Sequence, residues 1–129
     1  LRALTAVIDG LHEVESVLDE GLQAVAMSAT VWHQCGLPLD PSVKIALTSA
    51  NGETRWSLGL CRNVPFNFKG LEVLLQVHII EHAAYDVLLG CPFSMLCETK
   101  IDNRANGEQI LTICNPNTGM EIVIPTHER

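Results

Sequence analysis

The sequence predicts an all-β fold, a small barrel or sandwich that carries two short helices. About eight short apolar stretches rich in β-prone residues follow one another, with turn signals such as Asp9-Gly10 and Asn51-Gly52 between them at even spacing. Only two stretches combine helical apolar spacing with helix start and stop signals. The 129 residues, 47% of them hydrophobic, suit one folded domain over residues 1–129. Because the first residue is Leu1, we expect a piece of a longer polypeptide.

Charge and cysteine usage exclude several classes of function. The net charge is −7 and the eight Lys and Arg residues are scattered, so direct binding of nucleic acid is not expected. No apolar run approaches about 18 residues and no basic leader is present, which argues against a membrane span and a signal peptide. An odd number of cysteines without a C-x-x-C pair predicts reduced thiols and a cytoplasmic location. They are Cys35, Cys61, Cys91, Cys97 and Cys114.

The first predicted element is a hairpin that ends in an acidic turn. Residues 3–8 and 11–18 form its arms around Asp9-Gly10, and the second arm ends at Asp19. Asp19-Glu20-Gly21 places a carboxylate on a tight turn with exposed backbone N–H groups. Two readings are open at this point: an ordinary turn, or a carboxylate held ready for acid–base chemistry.

A short strand over 24–27 leads into the first predicted helix. Ser28 stands at an N-cap position, and Gly36 followed by Pro38 marks the end of the helix. We therefore predict a helix over 28–35, with Trp32 as its anchor in the core.

The middle of the chain predicts a second hairpin and the longest strand. Strands over 43–47 and 54–60 flank Asn51-Gly52, and Trp56 lies on the returning arm. Residues 71–80 form the longest β run and are apolar on both faces apart from Glu72, Gln76 and His78, which is typical of a strand in the interior of a sheet.

The last third predicts a strand, a helix and two further strands. Residues 84–90 form an apolar strand that ends in Gly90, and Pro92 can occupy the first turn of a helix. Phe93, Leu96 and Cys97 would form the inner face of that helix. Strands near 109–114 and 120–124 complete the chain.

No metal or cofactor site is predicted. His78 and His82 are the one H-x-x-x-H pair, but the sequence around His78 predicts a strand, and in a strand positions i and i+4 lie about 13 Å apart. Asp86 is interpreted as a structural residue of a turn, with a catalytic role as the alternative.

Two motifs and their order along the chain resemble a known family. They are Leu18-Asp19-Glu20-Gly21 and Tyr85-Asp86-Val87-Leu88-Leu89-Gly90-Cys91-Pro92-Phe93, with Ala50-Asn51-Gly52 as weaker support. The chain resembles the retropepsin-like aspartic proteases, in particular the protease domains of fungal retrotransposon polyproteins, over nearly its whole length.

The resemblance implies a small closed barrel and an aspartic endopeptidase that works as a homodimer on an extended peptide of a polyprotein. Asp19 would be the catalytic carboxylate, and Glu20 and Gly21 would support its loop. The hairpin around Ser49–Thr54 would form a flap over the substrate. The residues assigned to the flap and groove are Ser49, Ala50, Asn51, Gly52 and Trp56, with Tyr85 as a further groove candidate. The strand beside the catalytic loop would contain Asp86, Leu88, Leu89 and Gly90.

Glu20 departs from the family pattern, because active members usually carry Ser or Thr between the Asp and the Gly. Two Glu20 carboxylates near a dimer axis would repel each other, so we expect association and cleavage to strengthen as the pH falls toward about 5. Leu22 also replaces a small or hydroxylic residue. Two alternatives remain open: the same fold as a catalytically inactive dimerisation or peptide-binding module, and an unrelated small β-barrel in which Asp19 is a turn residue.

Overall fold

The fold was described from a computed structural model, in which residues 1–48 and 52–129 are described. These residues form twelve strands and two helices. The strands are β1 Arg2–Ile8, β2 His12–Leu18, β3 Val25–Ser28, β4 Ala46–Thr48, β5 Thr54–Trp56, β6 Gly59–Phe68, β7 Leu71–Ile80, β8 Val87–Leu89, β9 Lys100–Asn103, β10 Gln109–Cys114, β11 Glu121–Pro125 and β12 His127–Glu128. The helices are α1 Ala29–Cys35 and α2 Cys91–Leu96.

Six strands close into a barrel. They run in the order β1-β2-β8-β3-β7-β6, and β6 pairs back to β1 at Val7–Asn67 and Ile8–Phe66. The β2–β8 and β3–β7 pairs are parallel, whereas the other pairs of the barrel are antiparallel. Closure leaves few unpaired edges on the barrel. The prediction of an all-β closed barrel with two short helices is confirmed.

The long β6–β7 hairpin supplies much of the barrel core. Phe66 and Phe68 on β6 are fully buried, and Phe68 lies 5.3 Å from the ring of Phe93 on α2. β7 lies between β3 and β6, as its length and apolar sequence predict. Its outward face is nevertheless exposed to solvent, and Leu74 is 49% exposed. That face carries two apolar residues, Leu74 and Ile80, and of the two only Ile80 is buried.

The β4–β5 hairpin forms a separate two-stranded sheet. The predicted strand over 43–47 is shorter and shifted, since β4 begins at Ala46. The predicted strand over 54–60 is divided between β5 and β6. The Ser57 backbone N–H donates to Ile45 O at 2.8 Å, in register with the β4–β5 pairs, and is the last bond of that hairpin. Leu58 N then donates to Ile79 O at 2.8 Å, which brings the chain onto the barrel.

The tail differs most from its prediction, because β9 and β12 carry no strong strand pattern in the sequence. β9 joins β10 and β11 in a three-stranded sheet, and β12 extends the barrel sheet beside β1. Both strands are exposed along their whole length. Pairing with a neighbouring strand holds them, not burial of an apolar face.

The two helices follow their start and stop signals. The Ser28 hydroxyl accepts a hydrogen bond from Val31 N at 3.2 Å, and Gly36 ends α1 in the left-handed region with φ 64°. On α2 Phe93 is buried as predicted, but Leu96 is 41% exposed and does not belong to the inner face. Within residues 1–48 and 52–129, neither helix is long and apolar enough to cross a membrane.

Candidate functional site

Asp19 follows the last residue of β2 and is held by the neighbouring strand β8. Its backbone N–H donates to Leu89 O at 3.0 Å, and its own carbonyl accepts from Leu22 N at 3.1 Å. The first bond continues the parallel β2–β8 ladder, and the second closes a tight turn. The half-buried Asp19 is therefore fixed by its backbone, which leaves its side chain at the surface of the groove described below.

Gly90 locks the Asp19 turn from the other side. A Cβ on Gly90 would stand 1.9 Å from Ala24 O and 2.5 Å from Leu22 O, so only glycine fits there. The next residue, Cys91, donates its N–H to Leu22 O at 2.7 Å. The segment after β8 thus packs backbone to backbone against the segment after Asp19.

Gly21 follows Glu20 in the Asp19 turn, and its support of the catalytic loop stays a prediction. Its φ is not positive, so the turn does not depend on the conformational freedom of glycine. A Cβ at this position would lie 3.5 Å from Asp19 Oδ1, an ordinary contact distance. The position therefore has room for a small side chain, and the Asp19 carboxylate would be its nearest neighbour. Glu20 between them is exposed.

A groove of about 770 Å³ opens beside Asp19. Its lining includes residues of the Asp19 turn, of the β3–α1 junction, of strands β4 and β5, and of the segment 82–85. Most of the lining side chains are apolar, among them Leu22, Met27, Leu47, Ile80 and Leu88. An open, mostly apolar groove with a carboxylate in its wall suits an extended peptide.

The β4–β5 hairpin is attached at two points. At its base, the Ser57 hydroxyl accepts from Ile45 N at 3.1 Å and lies 3.2 Å from His78 Nδ1. Since Ser57 Oγ already accepts one bond, its hydrogen is available to donate to His78 Nδ1. Burial lowers the pKa of His78, and a smaller opposing effect comes from its hydrogen bond with the Gly59 backbone.

Arg55 provides the second attachment, nearer the middle of the hairpin. Its Nη1 donates to Glu81 O at 3.2 Å and to His82 O at 3.0 Å. Its Nε and Nη2 lie 3.4 Å from Glu53 Oε1. One guanidinium therefore ties the hairpin to the turn that follows β7.

The predicted flap and groove residues are placed as follows. Ser49, Ala50 and Asn51 lie outside the described residues, and Gly52 adopts a positive φ of 84°. Trp56 ends β5 with 68% of its surface exposed, and the described lining of the groove does not include it. Its neighbour Arg55 does line the groove, and successive strand residues point to opposite faces. The predicted groove role of Trp56 stays a prediction.

The second motif lies beside Asp19. Leu88 lines the groove, while Leu89 is fully buried. Asp86 is exposed, and its backbone carbonyl accepts from Ser28 N at 2.9 Å, a contact that links β8 to the β3–α1 junction. Tyr85 also lines the groove.

Sequence reasoning missed Arg55 and Arg129. Arg129 Cζ lies 4.6 Å from the centroid of the Tyr85 ring, and its side chain also binds Glu15. Neither arginine belongs to a motif, and their partners are far away along the chain, so no local signal could have identified them.

The site offers carboxylate chemistry and no metal centre in the described part of the chain. His78 on β7 faces Ser57, and His82 follows the strand and lines the groove. Among the described residues, no group of three His, Cys, Asp or Glu side chains could hold a metal ion. The Asp19 carboxylate can accept a proton from a water molecule or share one with a second carboxylate.

Comparisons with known proteins agree with this geometry. A family profile described as aspartyl protease matches residues 4–93. The retroviral protease-like domain of Ddi1 from Leishmania major is similar in structure, with a TM-score of 0.77, 24% identity, and coverage of 99% of this chain and 94% of that chain. A retropepsin-like aspartic protease from Rickettsia conorii has a TM-score of 0.53 and 16% identity, and covers 78% of this chain and 75% of that chain. No curated protein sequence matches the chain.

Proposed function

The chain belongs to the aspartyl protease family and has the retropepsin-like fold, and on this basis we propose that it is an aspartic endopeptidase that acts as a homodimer. Each monomer supplies one catalytic carboxylate, that of Asp19. The observation that carries the proposal is the position of Asp19, which is held by Leu89 and lines a groove able to hold an extended peptide.

The chemistry requires two copies of Asp19. Two carboxylates within a few ångströms of each other cannot both carry a charge at low cost, so the pair shares one proton. The ionised member takes a proton from a water molecule, which attacks the carbonyl carbon of the peptide bond. The protonated member donates its hydrogen bond to the carbonyl oxygen, where negative charge develops. A monomer has only half of this arrangement and should be inactive.

Substrate binding in this proposal depends on the groove and the flap. The β4–β5 hairpin covers the peptide and excludes water from the reacting carbonyl. The apolar lining favours apolar substrate side chains. We propose that the natural substrate is a polyprotein of the retroelement type that contains this domain, as the resemblance of the two motifs suggests. The five cysteines, all free, support a cytoplasmic location as part of the proposal.

Glu20 favours one alternative function, a catalytically inactive dimerisation or peptide-binding module. Its exposed side chain adjoins Asp19 in the chain and would place a second carboxylate beside the axis of the proposed dimer. Repulsion between two such carboxylates would oppose the close approach that catalysis needs. The groove could still bind an extended peptide without cleaving it.

Sedimentation and cleavage on the same samples test the proposal. We would measure association of the chain at about pH 7 and about pH 5, together with cleavage of a peptide library. Asp19→Asn is the first variant and Glu20→Ser the second. The expected result is a dimer that cleaves, an Asp19→Asn dimer that does not, and a Glu20→Ser dimer whose association depends less on pH.

Other outcomes decide between the alternatives. A wild-type dimer that never cleaves, and gains cleavage in Glu20→Ser, would identify the natural chain as the binding module. Association that weakens on acidification would contradict the role given to Glu20. A monomer at both pH values would refute the homodimeric peptidase for this chain.

A further inference from the structure

The last strand of the chain lies beside the groove and holds part of its wall. β12 pairs antiparallel with β1, with Arg2 opposite Glu128 and Ala3 opposite His127. The backbone N–H of Arg129 donates to Leu1 O at 3.1 Å. This pairing carries the Arg129 side chain across β1 and β2 to the segment that follows β7.

The Arg129 guanidinium contacts three partners from two separate parts of the chain. It binds the carboxylate of Glu15 on β2, its Nη2 lies 3.3 Å from Ala84 O, and its Cζ lies 4.6 Å from the centre of the Tyr85 ring. The planar guanidinium can donate in its plane and stack on a ring with its face, so one side chain can satisfy all three contacts.

Ala84 and Tyr85 are both part of the groove lining, and so is Leu1. We propose that Arg129 is a positioning residue that clamps Ala84 and Tyr85 in place, so that the shape of the groove depends on the docking of β12. The expected effect on peptide binding rests on the proposed function. The contacts of Arg129 with Ala84 and Tyr85 do not depend on it.

Glu15 orients the clamp from the barrel. It binds Arg129, and its Oε2 lies 3.4 Å from His127 Nε2, so both contacts of this carboxylate come from the terminal segment. The hydrogen bond from Arg129 is the main cause that lowers the pKa of Glu15. The two side chains of the ion pair are 38% and 35% exposed, which limits what the pair contributes by itself. Stacking on Tyr85 and the bond to Ala84 O add to it.

β12 is a suitable element for such coupling because little holds it. It has two residues, both exposed, and two paired positions with β1. A short exposed strand of this kind opens locally at a low free-energy cost. The contacts of Arg129 with Ala84 and Tyr85 form only when β12 is paired with β1, so this pairing and the position of Tyr85 are coupled. A peptide that packs against Tyr85 should in turn favour the paired state of β12.

Tyr85 is the only tyrosine of the chain, which allows a direct experiment. Incorporation of 3-fluorotyrosine gives one ¹⁹F resonance that reports on the clamp in the absence of any ligand. The variants are Arg129→Gln, Arg129→Lys and Glu15→Gln. Arg104→Gln on the exposed turn between β9 and β10 is the control for the change in charge.

We expect Arg129→Gln to shift the Tyr85 resonance and to make amide exchange in residues 81–86 about tenfold faster. Arg129→Lys should give a Tyr85 shift and an exchange rate between those of wild type and Arg129→Gln, because Lys keeps the charge but lacks the planar guanidinium. Glu15→Gln should move the resonance in the wild-type background and not in the Arg129→Gln background, because Glu15 acts through Arg129. Arg104→Gln should leave both readouts unchanged.

A second arm connects the clamp to binding. A hexapeptide of apolar residues with a hydroxyethylene group in place of one peptide bond is titrated into wild type and Arg129→Gln. We expect about threefold to tenfold weaker binding to the variant. If this probe fails to bind wild type, the proposed function is contradicted, while the ¹⁹F resonance still decides on the clamp.

Two results would overturn the inference. One is an Arg129→Gln spectrum and exchange pattern for residues 81–86 identical to those of wild type. The other is a clear effect on Tyr85 together with unchanged affinity for the peptide, which would separate the clamp from the groove. A response to Glu15→Gln that persists in the Arg129→Gln background would contradict the separate statement that Glu15 acts through Arg129.

Discussion

Gly90 lies so close to Ala24 that a Cβ on the glycine would stand 1.9 Å from the Ala24 carbonyl oxygen. The contact joins the segment after β8 to the segment after the Asp19 turn, and both of its sides are backbone. Backbone cannot move away as a flexible side chain can, so this contact fixes the distance between the two segments.

Substitution of Gly90 by Ala should therefore disrupt the site. We expect Gly90→Ala to lose about 3 kcal/mol or more of stability, because the added methyl group overlaps two carbonyl oxygens. Gly21→Ala is the matched control, since its Cβ would lie at an ordinary 3.5 Å from Asp19 Oδ1. Its stability should change by less than about 1 kcal/mol. Urea denaturation of both variants makes the comparison, and equal losses would contradict this account.

Arg55 should control how readily the β4–β5 hairpin separates from the turn after β7. Its bonds to Glu81 O and His82 O link the β4–β5 hairpin to the turn after β7. In Arg55→Gln we expect the amides of β4 and β5 to exchange roughly fivefold faster, which corresponds to about 1 kcal/mol. If the chain is a peptidase, KM should rise more than kcat falls.

Arg62→Gln is the control for Arg55. Arg62 also makes an exposed ion pair, to Asp40 Oδ2 at 2.7 Å, but it lies on β6 and does not line the groove. In Arg62→Gln the amides of β4 and β5 should exchange at the wild-type rate. The role of Arg55 would be ruled out by equal exchange of β4 and β5 in the two variants.

Ser16 and Ser57 are equally buried serines with opposite surroundings. Ser16 is 0% and Ser57 2% exposed, but only Ser57 has hydrogen-bond partners among the described residues. Ser16→Ala should leave stability unchanged or raise it by up to about 1 kcal/mol, since an unpaired buried hydroxyl is costly. Ser57→Ala should lose about 1–2 kcal/mol, because Ile45 N and His78 Nδ1 lose their partner. Thermal unfolding of both variants shows whether the order holds; a reversed order would refute it.

His78 should make the stability of the chain, and the contact of Ser57 at the base of the β4–β5 hairpin, sensitive to acid. Its pKa is lowered in the folded chain, so the unfolded chain binds a proton more readily than the folded one. The stabilising effect of neutral His78 is complete above its ordinary pKa of about 6.5 and is lost as the pH falls below that value. Protonation would also remove the acceptor that faces Ser57.

The variant His78→Asn tests this acid sensitivity, because an amide can still accept a bond from Ser57 but does not titrate. Between about pH 7 and pH 5.5 its stability should depend less on pH than that of wild type. His33→Asn on the exposed part of α1 removes a histidine whose ring lies beside Trp32 and should keep the wild-type slope. If the stability of His78→Asn depended on pH as strongly as that of wild type, His78 would be excluded as the cause of the acid sensitivity.

The sequence by itself was sufficient for the local elements of this protein. Hairpins, both helix caps and the alternation of apolar residues depend on neighbours within a few positions, so the all-β class and the Asp19 turn were predictable. The two motifs contain Asp19 and Gly90, whose segments the structure brings into backbone contact; that they carry the site stays a prediction. The pattern Asp-x-Gly does not show whether its glycine adopts a positive φ, and in the structure Gly21 does not.

The tertiary structure determined the strand pairings and side-chain contacts between residues that are distant in the sequence. β9 and β12 depend on pairing with distant strands, and β8 enters the barrel between β2 and β3, to which no local pattern directs it. Arg55 meets backbone 26 and 27 positions away, and Arg129 meets Glu15 across 114 positions. Such contacts form only when the barrel closes, because chain entropy keeps these residues apart until the core is buried. Local sequence was therefore sufficient to predict the turn that carries Asp19, whereas the contacts of Arg55 and Arg129 with distant residues depend on closure of the barrel.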